Sequence, residues 1–197
     1  MARPRQFDED AVLDKAMLLF WTSGYEGTST TELLTATGLT NSSLYQAFGS
    51  KEGLYRRVAE RYRNGPLGVR DAALAEPTPR RVVERLLLST IDVLTADTTP
   101  RGCMDVNSGT GQMRNSDSLR AMLIANRAVI RRRLGERLTE LGLSRHPPMG
   151  DDPQHVAMLV ATLLHGLAIQ AADGVSAEEL RIVVQMFLAC WPSDPVT

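Results

Sequence analysis

Apolar residues recur along almost the whole chain with a period of about 3.6 residues, which places them on one face of a helix. No segment shows the strict alternation of apolar and polar residues that marks a half-buried strand. Aromatic residues make up only 5% of the chain, so a core must be built mainly from Leu, Val, Ile, Met and Ala, a mixture that favours helices. The pattern therefore predicts an all-α fold of about nine helices.

Capping residues and chain breakers divide this pattern into separate helices. The clearest start signal is Ser29-Thr30-Thr31-Glu32, a capping box, and Gly38 ends the helix that it begins. Gly24 is expected to end the first helix, and Gly65-Pro66 breaks the chain after the fourth. The predicted helices are 8–22, 30–37, 41–48, 51–64, 80–97, 103–113, 117–141, 153–172 and 176–191.

Residues 24–54 have the pattern of a helix-turn-helix, in which a tight glycine-containing turn joins a helix to a second short helix. Leu44 and Phe48, four residues apart, are expected to anchor the second helix to a core. Its other side chains are mostly polar, and such groups at a helix N-terminus can meet phosphates and base edges in a major groove. The alternative is that they only solvate a surface helix. The polar set is Asn41, Ser42, Ser43, Tyr45 and Gln46.

This stretch resembles the TetR/AcrR family of bacterial regulators. The resemblance is carried by Thr28-Ser29, Thr37-Gly38-Leu39-Thr40, Leu44-Tyr45-Gln46-Ala47-Phe48 and Ser50-Lys51-Glu52, and it is tight over residues 8–56. It implies a three-helix DNA-binding head at 1–56 and a helical ligand-binding and dimerisation domain at 57–197. It further implies a regulator, expected to be a repressor, that a small and mostly apolar ligand releases from a palindromic operator.

The resemblance also suggests which residues touch DNA. Tyr45 is expected to reach a phosphate through its hydroxyl, and Lys51 to place its ammonium on the backbone at the start of the fourth helix. Asn41, Ser42 and Gln46 are the candidates for reading bases, although Ser42 stands where similar proteins often have Gly. The basic N-terminal arm can enter a minor groove or touch phosphates. The full predicted set is Arg3, Arg5, Ser29, Thr40, Asn41, Ser42, Ser43, Tyr45, Gln46 and Lys51.

The last two predicted helices, within about 153–191, suit the role of pairing two copies of the chain, as the resemblance implies. Residues 155–167 are apolar nearly all round. A helix that is apolar on more than one face must bury both, one inside the subunit and one against a partner. The alternative is a wholly internal helix in a monomer. A dimer is also what a helix-turn-helix needs in order to read two half-sites.

The predicted ligand pocket draws on methionines and on isolated polar groups of otherwise apolar segments. Methionines can line an adaptable pocket, although they are also ordinary core filler. Polar groups on apolar segments can orient a ligand, or they can be satisfied within the core. The predicted ligand-binding set is Cys103, Met104, Asn107, Met113, Met122, Asn126 and His165.

Residues 102–107 resemble a Gly-Cys-Leu-x-x-Asn pattern found in a subset of TetR-like proteins. The thiolate of Cys103, at the start of a helix, is stabilised by the helix dipole, so the residue is a candidate sensor of electrophiles or oxidants. The charge of Asp105 opposes thiolate formation. The alternative to this thiol-based regulator is a packed, structural cysteine.

Composition and motif content point away from other classes of protein. The formal net charge is −1, and residues 1–64 hold equal numbers of basic and acidic groups, so charge alone does not indicate nucleic acid. Two cysteines without repeated spacing, and the lack of a signal core or of a run of about 18 apolar residues, favour a cytoplasmic protein without a membrane span. Paired carboxylates, a metal-ligand cluster and a Gly-rich phosphate loop are missing, so neither an enzyme nor a cofactor is expected. A purely structural helical module remains a further alternative.

Overall fold

The computed structural model describes residues 7–109, 117–143 and 152–191, and every regular element in those ranges is a helix. The predicted all-α fold is confirmed. Three residues of the predicted sites, Arg3, Arg5 and Met113, lie outside the described residues. The helices are α1 (Glu9–Gly27), α2 (Thr30–Thr37), α3 (Asn41–Phe48), α4 (Lys51–Asn64), a 3-10 turn (Pro66–Gly68), α5 (Val69–Leu74), α6 (Pro79–Leu94), α7 (Met104–Gly109), α8 (Asp117–Glu140), α9 (Pro153–Ala172) and α10 (Ala177–Ala189).

Side-chain caps begin each of the first four helices, among them the capping box that the sequence predicts for α2. In the capping box of α2, the Ser29 hydroxyl accepts from the backbone of Glu32, and the Glu32 carboxylate accepts from the backbone of Ser29. Each cap satisfies backbone N–H groups that have no partner within the helix. The caps of the other three helices are Asp8, Thr40 and Ser50.

The first helix is interrupted at Gly24, the residue predicted from the sequence to end it, and helical backbone resumes after this kink as far as Gly27. Gly24 has φ 68° and ψ 176°, and the Thr28 hydroxyl donates to its carbonyl over 2.7 Å. A Cβ atom on Gly24 would lie 3.1 Å from the backbone oxygen of Asn107. Glycine is therefore required both for a left-handed φ that interrupts the helix and for the close approach of α7.

Aromatic side chains pack α1 against α4. Phe20 and Tyr55 meet edge to face with ring centroids 4.9 Å apart, and Trp21 meets Tyr62 in the same way at 4.7 Å. α1 also packs on α7, and α7 in turn contacts α4, so the three helices pack against one another. One continuous hydrophobic core runs from α1 to α10, and the predicted boundary after residue 56 falls inside the unbroken helix α4.

The remaining helices form the body of the molecule. α8 packs along α9, and α6 contacts α5, α9 and α10. The short helix α5 lies between Gly65-Pro66 and Pro77, where the sequence pattern predicts no helix because six residues are too few to show a helical period.

By length and composition alone, α9 is apolar enough to cross a membrane, with a mean hydropathy of 1.6. Core helices of folded proteins meet the same criterion, and 44% of that window is buried inside the fold. The buried side of α9 packs on α8 and α6. The apolar sequence of α9 therefore reflects one apolar face that is buried inside the fold and a second apolar face that is exposed.

Candidate nucleic-acid interface and internal cavity

The helix α3 presents a polar face and buries its apolar one. Leu44 is fully buried and Phe48 is 9% exposed, so both anchor the helix to the core as predicted. The Thr40 hydroxyl accepts from the backbone N–H of Ser43 (3.1 Å) and fixes the first turn. The side chains left at the surface are Asn41, Ser42, Tyr45 and Gln46, and Tyr45 is 48% exposed. The structure thus brings the predicted residues of α3 together on one open face.

Lys51 lies beside this face at the start of α4. Its ammonium stands 4.2 Å from the ring centroid of Tyr25, a cation–π contact. Burial lowers the pKa of Lys51, while the carboxylates of Glu26 and Glu32 act in the opposite direction. The ammonium is therefore held in place at the helix N-terminus, where the sequence predicts a phosphate contact.

Ser29 is exposed but does not present a free hydroxyl. Its Oγ donates to Glu32 Oε2 (2.6 Å) and accepts from the Glu32 backbone (3.1 Å). The Ser29 hydroxyl and the Ser29 backbone N–H both donate to the Glu32 carboxylate and lower its pKa. The predicted DNA contact of Ser29 is not supported by this geometry, because its proton already serves the capping box.

Two arginines of α4 are turned toward α1. The Arg61 guanidinium donates to both carboxylate oxygens of Asp14 (2.6 and 2.9 Å) and to Asp10 (2.7 Å), and Arg57 pairs with Glu9 (2.7 Å). The fork geometry of the Arg61–Asp14 pair fixes orientation as well as distance. These pairs tie the two helices together along their exposed edge.

A cavity of about 180 Å³ lies between α4, the 3-10 turn with α5, α7 and α8. Asn126 is the predicted ligand-binding residue that lines it. Charged residues that the sequence analysis did not assign to a ligand site also line it: Arg63, Arg70, Asp71, Asp105 and Arg133. Their charges appear in the sequence, but nothing local in it indicates that these residues meet.

Cys103 is 4% exposed and accepts a hydrogen bond from the Tyr62 hydroxyl over 3.5 Å. Burial, and to a lesser degree the Asp105 charge, raise the pKa of the Cys103 thiol. A raised pKa keeps the sulfur protonated and unreactive. The structure therefore favours the packed cysteine over the thiol-based sensor.

The other predicted pocket residues are dispersed. Met104 is fully buried as core filler, and Met122 is partly buried against the same core. Asn107 donates through Nδ2 to the backbone oxygen of Trp21 (3.0 Å), so it joins α7 to α1 and does not line the cavity. His165 borders a different groove with Arg127 and Arg131, where burial lowers its pKa.

An apolar surface covers the exposed sides of α9 and α10. Met186 is 68% exposed, and the other large apolar side chains of this surface are 44–49% exposed. Exposed apolar groups that cluster on two neighbouring helices indicate a contact with another molecule. This surface coincides with the segment predicted to pair two copies. Its members are Met158, Leu159, Ile169, Ile182, Val183 and Met186.

A capped, two-helix unit with a polar second helix, set on a larger helical body, defines a helix-turn-helix regulator. Residues 12–58 match the model for bacterial regulatory proteins of the tetR family. The chain is also 33% identical over 192 residues to the HTH-type transcriptional repressor ComR of Escherichia coli (strain K12), covering 96% of this chain and 91% of ComR. The chain belongs to the TetR family and is a DNA-binding transcriptional regulator.

Solved structures agree with this assignment. A cysteine mutant of the TetR family regulator CifR, complexed with a 26-bp double-strand operator DNA, is 38% identical. It superposes with a TM-score of 0.89, covering 96% of this chain and all of that one. A TetR regulator from Rhodococcus sp. RHA1 is 32% identical with a TM-score of 0.61, covering 95% of this chain and all of its own.

Proposed function

We propose that this protein is a homodimeric repressor that binds a palindromic operator through α3 and leaves it when a small molecule binds in the body. The exposed polar face of α3, with Lys51 fixed beside it, is the observation that carries the proposal. The relatives support it, since ComR is a repressor and CifR has been solved on operator DNA. The protein acts by binding and not by catalysis, in the bacterial cytoplasm where its operator lies.

The proposed contacts divide by the kind of group on the DNA. Asn41, Ser42 and Gln46 read base edges from the exposed face of α3, where short polar side chains can match the donor and acceptor pattern of the major groove. The hydroxyl of Tyr45 and the ammonium of Lys51 contact phosphates, which fix the register but carry no sequence information directly. Thr40 and Ser43 hold the first turn of α3 and can approach the backbone there.

The connection between ligand and DNA is proposed to run through α1. This helix contacts α7, which carries Asp105 of the cavity, and α4, which carries Arg63. A ligand changes the position of the head only if it prefers one arrangement of these helices to another. In this proposal α4 and α7 both connect the cavity to α1, whereas α6 does not border this cavity.

The Gly-Cys-x-x-x-Asn pattern is proposed to encode the contact between α7 and α1. The Trp21 indole donates to the carbonyl of Gly102 (2.9 Å), and Asn107 donates to the carbonyl of Trp21 (3.0 Å). Gly102 and Asn107, the first and last residues of the pattern, are thus both hydrogen-bonded to Trp21. A Cβ atom at Gly102 would lie 2.9 Å from the side chain of Ala172, so α9 also approaches closely here.

We propose residues 1–56 as the DNA-binding head and residues 57–197 as the ligand-binding and dimerisation domain.

A footprint on the DNA immediately upstream of the protein's own gene, at fixed salt, tests the proposed function. We expect a protected palindrome with half-sites about one helical turn apart or a multiple of that spacing. Failure of the ligand-free protein to protect any segment, there or in a selection from genomic fragments, would refute the repressor assignment.

A further inference from the structure

The cavity between α4, α5, α7 and α8 contains polar groups that the protein leaves without partners. Asp105 is 95% buried, given its exposed fraction of 5%, and its Oδ1 receives no hydrogen bond within the described structure. Arg63 Nη1, Arg70 Nε and Asn126 Nδ2 are also shielded from solvent and unpartnered. All four residues line the same cavity.

Such a cluster is unusual for a folded core. Buried polar atoms are nearly always hydrogen-bonded, because leaving them without partners destabilises the protein. Here the unpartnered atoms come from two long helices, α4 and α8, and two short ones, α5 and α7, that line a single space. An arrangement of this kind indicates a ligand that supplies the missing hydrogen bonds.

The charges around the cavity indicate what this ligand carries. Arg133 pairs with Asp71, whereas Arg63 and Arg70 make no ion pair within the described residues. The two unpaired guanidiniums outweigh the single carboxyl of Asp105, so the cavity favours an anion. Planar guanidinium groups match a carboxylate well. A phosphate monoester would bring nearly two negative charges beside Asp105, which disfavours it.

Asp105 indicates the second group of the ligand. Burial raises the pKa of this carboxyl, while the Arg63, Arg70 and Arg127 guanidiniums lower it. Its unpartnered oxygen is an acceptor that needs a donor, and a hydroxyl supplies one. The cavity volume of about 180 Å³ corresponds to roughly six water molecules at about 30 Å³ each, which suits a molecule of few heavy atoms.

We propose that the cavity binds a small hydroxylated carboxylic acid, with its carboxylate on Arg63 and Arg70 and its hydroxyl on Asp105. The lining thus favours a polar ligand over the mostly apolar one predicted from the sequence. One part of this inference rests on the proposed function: that this molecule is the ligand that controls operator binding.

The test uses three-carbon probes on the full-length protein without DNA. Lactate carries the carboxylate and the hydroxyl, propionate carries only the carboxylate, and 1,2-propanediol carries only hydroxyls. Each is compared with sodium chloride at matched ionic strength in a thermal unfolding experiment. We expect lactate at saturation to raise the midpoint by about 2–4 °C, propionate to raise it less, and the diol to have no effect.

Variants assign the effect to the cavity. Arg70→Gln removes one guanidinium and is expected to abolish the lactate shift, and Arg63→Gln is a second variant should the first fail to fold. Arg132→Gln, on the exposed side of α8, makes the same substitution outside the cavity and should keep the full shift. A lactate shift that survives in Arg70→Gln, one that the diol equals, or none in the wild type overturns the inference.

The operator footprint is a separate measurement, so the two proposals fail in different ways. A protein that protects its operator but shows no shift with lactate keeps the proposed function and loses this inference. A protein that shows the Arg70-dependent shift but protects no DNA keeps the cavity assignment and loses the repressor.

Discussion

Asn107 on α7 donates a hydrogen bond to the backbone oxygen of Trp21 on α1, over 3.0 Å. Trp21 in turn donates its indole N–H to Gly102, just before α7, over 2.9 Å. The two bonds join the first helix of the DNA-binding head to the short helix that carries Asp105 of the cavity. The two bonds therefore fix α7 against α1.

Trp21→Phe removes the buried indole donor and leaves the Gly102 carbonyl without it. We expect the free energy of unfolding to fall by about 1–3 kcal/mol, because an unpartnered buried carbonyl and a small cavity both destabilise the fold. Urea unfolding at a fixed protein concentration measures the change. Trp191→Phe is the matched control, since no hydrogen bond of that indole occurs in the described structure. Equal losses in the two variants would contradict the proposed role of the Trp21–Gly102 bond.

Tyr45→Phe tests the proposed phosphate contact of α3. The side chain is 48% exposed, so the variant should keep its melting temperature and its dimer. Loss of one hydroxyl contact of about 1 kcal/mol per subunit is expected to weaken operator binding roughly 5–30-fold for the dimer. A gel shift at matched salt measures it, and Tyr45→Ala should weaken binding further. Unchanged affinity in both variants would remove Tyr45 from the interface.

Lys51→Gln tests whether the ammonium at the start of α4 neutralises a phosphate. Each phosphate contact that is lost should reduce the slope of log K against log salt by about 0.9. Operator affinity is therefore measured over a series of salt concentrations. If the affinity falls and the slope stays the same, Lys51 serves the head through its contact with the Tyr25 ring alone.

The two cysteines should differ in reactivity. Cys103 is buried with a raised thiol pKa, so its thiolate fraction at neutral pH is below that of an ordinary cysteine, whereas Cys190 is exposed. A thiol reagent at neutral pH should modify Cys190 quickly in the native protein and Cys103 only after unfolding. Peptide mass spectrometry after brief labelling distinguishes the sites. Rapid native labelling of Cys103 would restore the thiol-sensor alternative.

The head was largely predictable because its signals are local. The Ser29–Glu32 capping box and the Thr40 cap lie within four residues of the atoms that they bind, and Leu44 and Phe48 share a face through helical spacing alone. Gly24 shows the limit of this reasoning. The helix is interrupted there as predicted, but nothing local in the sequence indicates the close approach of α7 or the helical backbone that resumes after the kink.

The cavity could not be predicted in the same way. Arg63, Arg70 and Asp105 lie on three different helices, and only tertiary packing brings them to one space. Arg70 lies in a stretch for which the sequence pattern predicts no helix, and Asp105 was considered only for its effect on Cys103. Asn107 and His165 carry the polar groups typical of a pocket, but packing places them elsewhere.

Met186→Glu tests the apolar surface of α9 and α10 as the dimer contact. Met186 is 68% exposed in the single chain, so a charge there is tolerated by the isolated fold but must be desolvated in a dimer. We expect sedimentation to show a shift toward monomer, with helical content retained. Leu18→Glu, at a 45% exposed apolar residue on α1, is the matched control and should remain dimeric. The monomer should also lose operator affinity, because one head alone contacts only one half-site. If Met186→Glu stays dimeric, the two copies meet through a different surface.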